Sequence, residues 1–232
     1  MQITGTINRL PSSYHLMGIY KKYLLPKIIH WTCGQNPTMR QREKVVPLAY
    51  GKVLEVGIGT GLNLGYYNSN KIEHLTGLDP SKENWNINKV NAESLGLDLS
   101  FVQASADQIP AENDQFDSAL ITYTLCSIPD PLPSLLEIRR VLKPDGILIF
   151  CEHGIAPDKK IEKWQHAVNP AWRFISGGCN LNRNVPDLLD KGGFRIKNLE
   201  TMYLPGWRIT TYNYWGTAEI RYSLHLDRGK SI

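Results

Sequence analysis

Gly57, Gly59 and Gly61 stand at alternate positions in Val53-Leu54-Glu55-Val56-Gly57-Ile58-Gly59-Thr60-Gly61-Leu62-Asn63, directly after a short apolar run. Such a turn lets a ligand lie against bare backbone, because each glycine removes a Cβ that would stand in the way. The ligand it suits is a nucleotide derivative. A dinucleotide fingerprint asks for glycine at the third residue after Gly59, where this chain has Leu62, and the glycine present comes one residue early at Gly61. Glu55 argues in the same direction, since a carboxylate two residues before the first glycine repels a pyrophosphate and suits a cation. Asp79 lies 22 residues after Gly57, the distance at which an acid accepts hydrogen bonds from both ribose hydroxyls. That role is common to nicotinamide and adenosyl ligands. The alternative is a plain strand-to-helix turn, with Asp79 capping the backbone at Pro80 and Ser81.

A second group could move protons. Glu152 and His153 follow an apolar run and fall where ligands bind in open α/β sheets. An imidazole is substantially neutral near neutral pH, so His153 is the better proton acceptor and could help turn a thiol into a thiolate. Its structural alternative is a histidine that caps the strand end or bonds Glu152. Cys126 and Cys151 end strands expected to be neighbours, where they either flank a substrate or fill apolar space. Trp164, Trp172 and Phe174, with Tyr20 and Tyr23, either form an apolar lid or pack one segment onto another. Cys33, Cys126, Cys151 and Cys179 are far apart, with no CxxC pair and no clustered histidine, so free thiols in a reducing compartment and no metal are expected.

These residues need a sheet to position them. Short strands are predicted at Val53–Val56, His74–Asp79, Leu99–Gln103, Ser118–Tyr123 and Ile147–Glu152, with helices such as Asn84–Leu95 and Leu132–Leu142 between them. A helix is also expected directly after the glycine turn. Alternation of this kind implies a parallel sheet. Past Pro186 the order changes to a short helix ending at Lys191, a strand from Phe194 to about Tyr203 and a β-rich tail with Ile209, Thr211, Tyr212 and Tyr214, so an antiparallel hairpin should close the sheet. Tyr14 to Ala49 reads as a helical cap divided by Pro26 and Pro37.

The 232 residues, 42% hydrophobic, fit one domain: a cap over 1–50, a binding core over 51–155, and a substrate insert with the hairpin over 156–232. A net charge of +4 is too small for a dedicated nucleic-acid binder. Within the first 50 residues, however, seven basic side chains (Arg9, Lys21, Lys22, Lys27, Arg40, Arg42, Lys44) face one acid, Glu43. This basic segment reads as a solvated helical face, with peripheral contact to anionic lipid as the other reading. No apolar run reaches the roughly eighteen residues of a membrane span, and the first ten residues lack the order of a secretory signal, so a cytoplasmic protein is expected.

With Glu55 to Gly61, Asp79, Gln115-Phe116-Asp117 and Arg140-Val141-Leu142-Lys143-Pro144-Asp145-Gly146, the chain resembles the class I S-adenosylmethionine-dependent methyltransferases over about residues 50–155. Leu125-Cys126-Ser127-Ile128, Cys151-Glu152-His153, Asn169-Pro170-Ala171-Trp172 and Gly178-Cys179-Asn180-Leu181 further resemble the branch of animal thiol S-methyltransferases and their bacterial relatives. The resemblance implies a Rossmann-like, mostly parallel seven-stranded sheet with helices on both faces. It also implies that S-adenosylmethionine is the cofactor, with Gly57, Gly59 and Gly61 facing its methionine part, Glu55 near the ammonium group, Asn63 beside it, and Asp79 with Pro80 at the ribose. Ser105 stands where the superfamily usually shows an acid that reads the adenine, leaving the serine hydroxyl and the Ala106 N–H for the base. Tyr123 and Leu125 would line the pocket around the sulfonium.

Methyl transfer from a sulfonium is an in-line displacement from a cationic leaving group, so the protein must align a nucleophile, exclude water and remove a proton where needed, without a metal. The expected acceptor is small and lipophilic, a thiol first, held by Tyr20, Cys126, Trp164 and Trp172, with Glu152 and His153 handling the proton. A phospholipid amine, a phenol or a quinone is the nearest other acceptor. A non-catalytic cofactor-binding protein is the alternative of a different class, and Leu62 and Glu55 disfavour a nicotinamide oxidoreductase.

Overall fold

The computed structural model describes residues 33–82 and 95–222. Tyr20, Tyr23, most of the expected cap with its basic residues Arg9, Lys21, Lys22 and Lys27, and nearly all of the helix expected over Asn84–Leu95 lie outside the described residues. The described chain runs α1 (Asn36–Val45), β1 (Gly51–Val56), β2 (Ile72–Leu78), β3 (Leu99–Val102), β4 (Phe116–Thr122), α2 (Pro131–Val141), β5 (Leu142–His153), α3 (Lys159–Ile175), α4 (Val185–Lys191), β6 (Phe194–Tyr203) and β7 (Tyr212–Ile220).

The strands form one seven-stranded sheet in the order β3-β2-β1-β4-β5-β7-β6. The first five run parallel, while β7 pairs antiparallel with both β5 and β6. Chain order reverses between β1 and β4, which opens a crevice at their carboxyl ends where open α/β sheets bind ligands. Val53, Leu54, Glu55 and Val56 are all buried, because a central parallel strand is covered on both faces. Alternate residues serve opposite layers: Leu54, Ile121 and Phe150 pack with Leu135, Ile138 and Leu189 from α2 and α4. On the other face Val53, Leu120 and Ile149 pack with Val45 at the end of α1.

Helix α2 starts where Asp130 accepts from the Leu132 N–H at 3.2 Å and Pro131 needs no donor partner. Near its far end, Arg140 donates to the carbonyls of Ile109 and Ala111 and to Glu137, tying the segment before β4 to the helix. Strand β5 begins at Leu142, five residues ahead of the predicted Ile147, because Leu142 already pairs with Phe116 before a register shift. Ile209, expected in the β-rich tail, precedes β7. Among the described residues no helix is long and apolar enough to cross a membrane.

The helix expected after the glycine turn is replaced by turns and a short 3-10 helix, Leu64–Tyr66. Its side chains explain why. Asn63 and Tyr67 turn inward to the same carboxylate, and Gly65 between them weakens a helix.

Close backbone approach fixes the hairpin. At Gly216 on β7 a Cβ would collide with the carbonyl of Asn198, beside the β6 register shift. Gly216→Ala is therefore expected to destabilise the protein by about 1–3 kcal/mol in denaturant titration, since backbone must move to admit the methyl group. Unchanged stability would show that this bulge is soft.

Candidate active site

The glycine turn is anchored at both ends. The N–H groups of Gly57 and Ile58 donate to the Leu78 carbonyl at 2.7 and 3.1 Å, fastening the turn to the end of β2. Asp79 then accepts from the Gly59 N–H at 3.0 Å and from the Ser81 N–H at 2.8 Å. All three glycines adopt left-handed backbone, with φ of 73°, 54° and 73° at Gly57, Gly59 and Gly61. Their surroundings differ. A Cβ at Gly57 would collide with Thr124, whereas one at Gly59 would meet nothing nearer than the Gly57 carbonyl at 3.8 Å. Gly57 thus brings the loops after β1 and β4 together, and Gly59 keeps the face of the turn open.

Below the turn lies a buried polar network. Glu55 accepts from Asn63 Nδ2 at 2.8 Å through one oxygen and from the Tyr67 hydroxyl at 2.7 Å through the other. Arg42 Nη1 donates to Asn63 Oδ1 and to Thr122 Oγ1, both at 2.7 Å. The Arg42 guanidinium also stands 5.1 Å from the centre of the Tyr123 ring. Burial pushes the Glu55 carboxyl up to about 7, against the lowering effect of Tyr67, Asn63 and Arg42. Glu55 therefore sits beneath the turn with both oxygens engaged, and Asn63 joins it to Arg42. The sequence placed Arg42 on a solvated basic face; it is buried at 5% exposure. The available signal was its helical spacing to Val45 and Val46, which are buried on the same face.

The carboxyl ends of β2 and β3 carry the remaining predicted cofactor residues. Pro80 follows Asp79, and its carbonyl accepts from Gln103 Nε2 at 3.3 Å. Ser105 is exposed and Ala106 buried in the turn after β3, where the Ser105 carbonyl accepts from the Gln108 N–H at 3.1 Å.

On the other side of the crevice a second buried carboxylate organises the loop after β4. Glu152 Oε1 accepts from the N–H groups of Thr124 and Leu125 at 2.6 and 2.9 Å, and burial pushes this carboxyl up to about 7. Tyr123, in left-handed backbone at φ 51°, donates its hydroxyl to Asn213 Oδ1 at 2.8 Å. His153 bonds Cys179, with Nε2 to Sγ at 3.0 Å, while Trp172 donates its indole N–H to the same sulfur at 3.4 Å. Cys126 completes the group: the ligand atoms of Cys126, His153 and Cys179 all lie within 4.8 Å of one another.

The Cys126 thiol, then His153 and Trp172, hold the Cys179 thiol down at about 4 against the effect of burial. Burial alone would lower the His153 imidazole, but the neighbouring Cys179 sulfur outweighs it and the imidazole is raised. Cys126 is raised well above the ordinary thiol range by its bond to Cys179 and by burial. This cluster was hidden in the sequence, because its members come from the β4 loop, the end of β5 and the segment between α3 and α4. Cys151, read with Cys126 as either flanking a substrate or filling apolar space, is wholly buried within β5, as the second alternative has it. Trp172 reaches the cluster, whereas Trp164 and Phe174 on α3 are 53% and 66% exposed.

Residues 54–150 match a family described as a methyltransferase domain. Human thiol S-methyltransferase TMT1B is 36% identical over 209 residues, covering 86% of this chain and 83% of that protein. The rat TMT1B is 32% identical over 151 residues, and there the chain spans 62% of its relative's length. Among solved structures, the Burkholderia thailandensis 1,6-didemethyltoxoflavin-N1-methyltransferase, holding its substrate and S-adenosylhomocysteine, shares the fold at a TM-score of 0.64, with 17% identity and 94% of each chain covered. The chain belongs to the class I S-adenosylmethionine-dependent methyltransferases. Its cofactor is S-adenosylmethionine. The open face at Gly59 fits a ligand of that kind in the crevice, and in the network below it the buried Arg42 Nε has no partner among the described residues.

Because Glu55 is raised to about 7 in the fold from 4.5, the native protein keeps a proton across this interval that the unfolded chain has released. Its contribution to stability is present below the lower value and is lost as pH rises through the upper one, by on the order of 3 kcal/mol in all. Thermal unfolding should therefore show a fall in stability between about pH 4.5 and about pH 7 that is shallower in Glu55→Gln. A steeper fall in the variant would contradict this assignment.

Proposed function

We propose that the chain methylates a small lipophilic thiol at the sulfur. The observation that carries this reading is the contact between His153 and Cys179, at 3.0 Å, on the carboxyl edge of the sheet beside the loop of Tyr123 and Leu125. The similarity to proteins named thiol S-methyltransferases, across 86% of the chain for the human relative, supports it.

In this reading Gly59 and Gly61 receive the methionine part of the cofactor, Asp79 and Pro80 the ribose, and Ser105 and Ala106 the adenine. Glu55 and Asn63 hold the turn from below. The cofactor supplies an electrophilic methyl carbon on a cationic sulfur, so the remaining need is a deprotonated, aligned acceptor. The neutral His153 imidazole takes the proton of the acceptor thiol, and the Cys179 sulfur bonded to its Nε2 steadies the imidazolium that results. Glu152 positions the Thr124–Leu125 backbone that forms the near wall. Trp172 fixes the Cys179 sulfur, and Cys126 stands beside it.

With S-adenosylmethionine and a panel of thiols, amine lipids, phenols and quinones, the product should be a thioether together with S-adenosylhomocysteine. His153→Ala should lower kcat by roughly 100-fold or more for an alkyl thiol and by far less for an acidic aryl thiol, which needs little help to ionise. Ring-methylated or N-methylated products without a thioether would contradict the acceptor. Equal losses for both thiols would make His153 a packing residue.

A further inference from the structure

We infer that Cys179 and Cys126 form a thiol–disulfide exchange site for small disulfides, with Cys179 the attacking sulfur and Cys126 the resolving one. Two aromatic ring nitrogens approach Cys179 Sγ, His153 Nε2 at 3.0 Å and Trp172 Nε1 at 3.4 Å, an arrangement that favours the thiolate. Cys179 is partly exposed where Cys126 is buried, so of the two it is the one a small reagent meets first. Cys126 has a different setting: its sulfur lies 3.6 Å from the Tyr123 carbonyl and 3.5 Å from Ser127 Oγ, and it is buried at 2% exposure. It is poorly placed to meet a reagent first but well placed to act second.

The two segments are clamped together. Both the backbone N–H and the side-chain Nδ2 of Asn180 donate to the Cys126 carbonyl, at 2.8 and 2.9 Å. With the sulfurs already within 4.8 Å, side-chain rotation toward one another makes the bond. Exchange then proceeds in two balanced steps. The Cys179 thiolate attacks one sulfur of a disulfide RS–SR, forming the mixed disulfide Cys179–SR and expelling RS⁻. Cys126 next gives up its proton and attacks Cys179 Sγ, forming the Cys126–Cys179 disulfide and expelling the second RS⁻, which leaves as RSH with that proton. The small disulfide is reduced to two thiols while two cysteines are oxidised.

If the acceptor is a lipophilic thiol, its oxidised dimer is the natural disulfide for this site, an assignment that rests on the proposed function. Oxidation would also remove the Cys179 sulfur that raises His153 and so weaken thiol deprotonation.

The test uses the reduced full chain, free of reductant and cofactor, with one equivalent of 4,4′-dithiodipyridine. Two thiopyridones should be released per protein, and peptide mapping should join Cys126 to Cys179. Cys126→Ser should release one and retain a mixed disulfide at Cys179, and Cys179→Ser should slow the first release at least tenfold. First reaction at Cys33 or Cys151, or a Cys33–Cys179 link, would overturn the inference even if a variant fails to fold. So would isolation with one bound zinc that must be removed before either thiol reacts, since two sulfurs and an imidazole also suit that ion. Exchange without thiol methylation would leave this inference standing and remove the acceptor; methylation without exchange would do the reverse.

Discussion

The structure depends on a carboxylate placed where water cannot reach it. Glu55, at 1% exposure beneath the glycine turn, is tolerable because Asn63 and Tyr67 each donate to one of its oxygens and Arg42 stands one bond further on. This arrangement dictates much around it. The chain after Gly61 turns back toward Glu55 instead of running on as a helix, α1 docks on the sheet face that offers Thr122 and Asn63 to Arg42, and the glycine turn is left open above. Removing one member strands the others, so the network behaves as a unit.

The opposite wall of the crevice uses the same device. Glu152, buried at the end of β5, fixes the loop after β4 through two backbone N–H groups, as Glu55 fixes the loop after β1 through two side chains. Gly57 and Thr124 then bring the two loops into contact. The methyltransferase crevice is thus bounded by two loops, each held by a carboxylate behind it, and Cys126 on the second meets His153 from the end of β5 and Cys179 from the segment between α3 and α4.

What the sequence made legible was local. Glycines at alternate positions after a strand, an acid at the end of the next strand, and apolar runs of strand length all follow from backbone geometry within a few residues, and the sheet and its closing hairpin agree with them. What stayed hidden depends on long-range contact. Arg42 looked like one more lysine-like charge because its partners are 21 and 80 residues away. Cys179 gains its character from His153, 26 residues back in sequence, and from the β4 loop. The missing helix after Gly61 was a competition that helical spacing could not show, between local propensity and the pull of a buried carboxylate. Tyr20 and most of the expected cap lie outside the described residues.

Calorimetric titration of S-adenosylmethionine into the wild-type protein and into Arg42→Leu tests the central claim most directly, because Arg42 comes from outside the glycine turn. If the buried network holds the cofactor crevice in shape, the wild type binds and the variant, still folded, binds at least tenfold more weakly, a difference of about 1.4 kcal/mol. Equal affinity in a folded Arg42→Leu protein would contradict the account, since the turn would then hold its shape without the network beneath it.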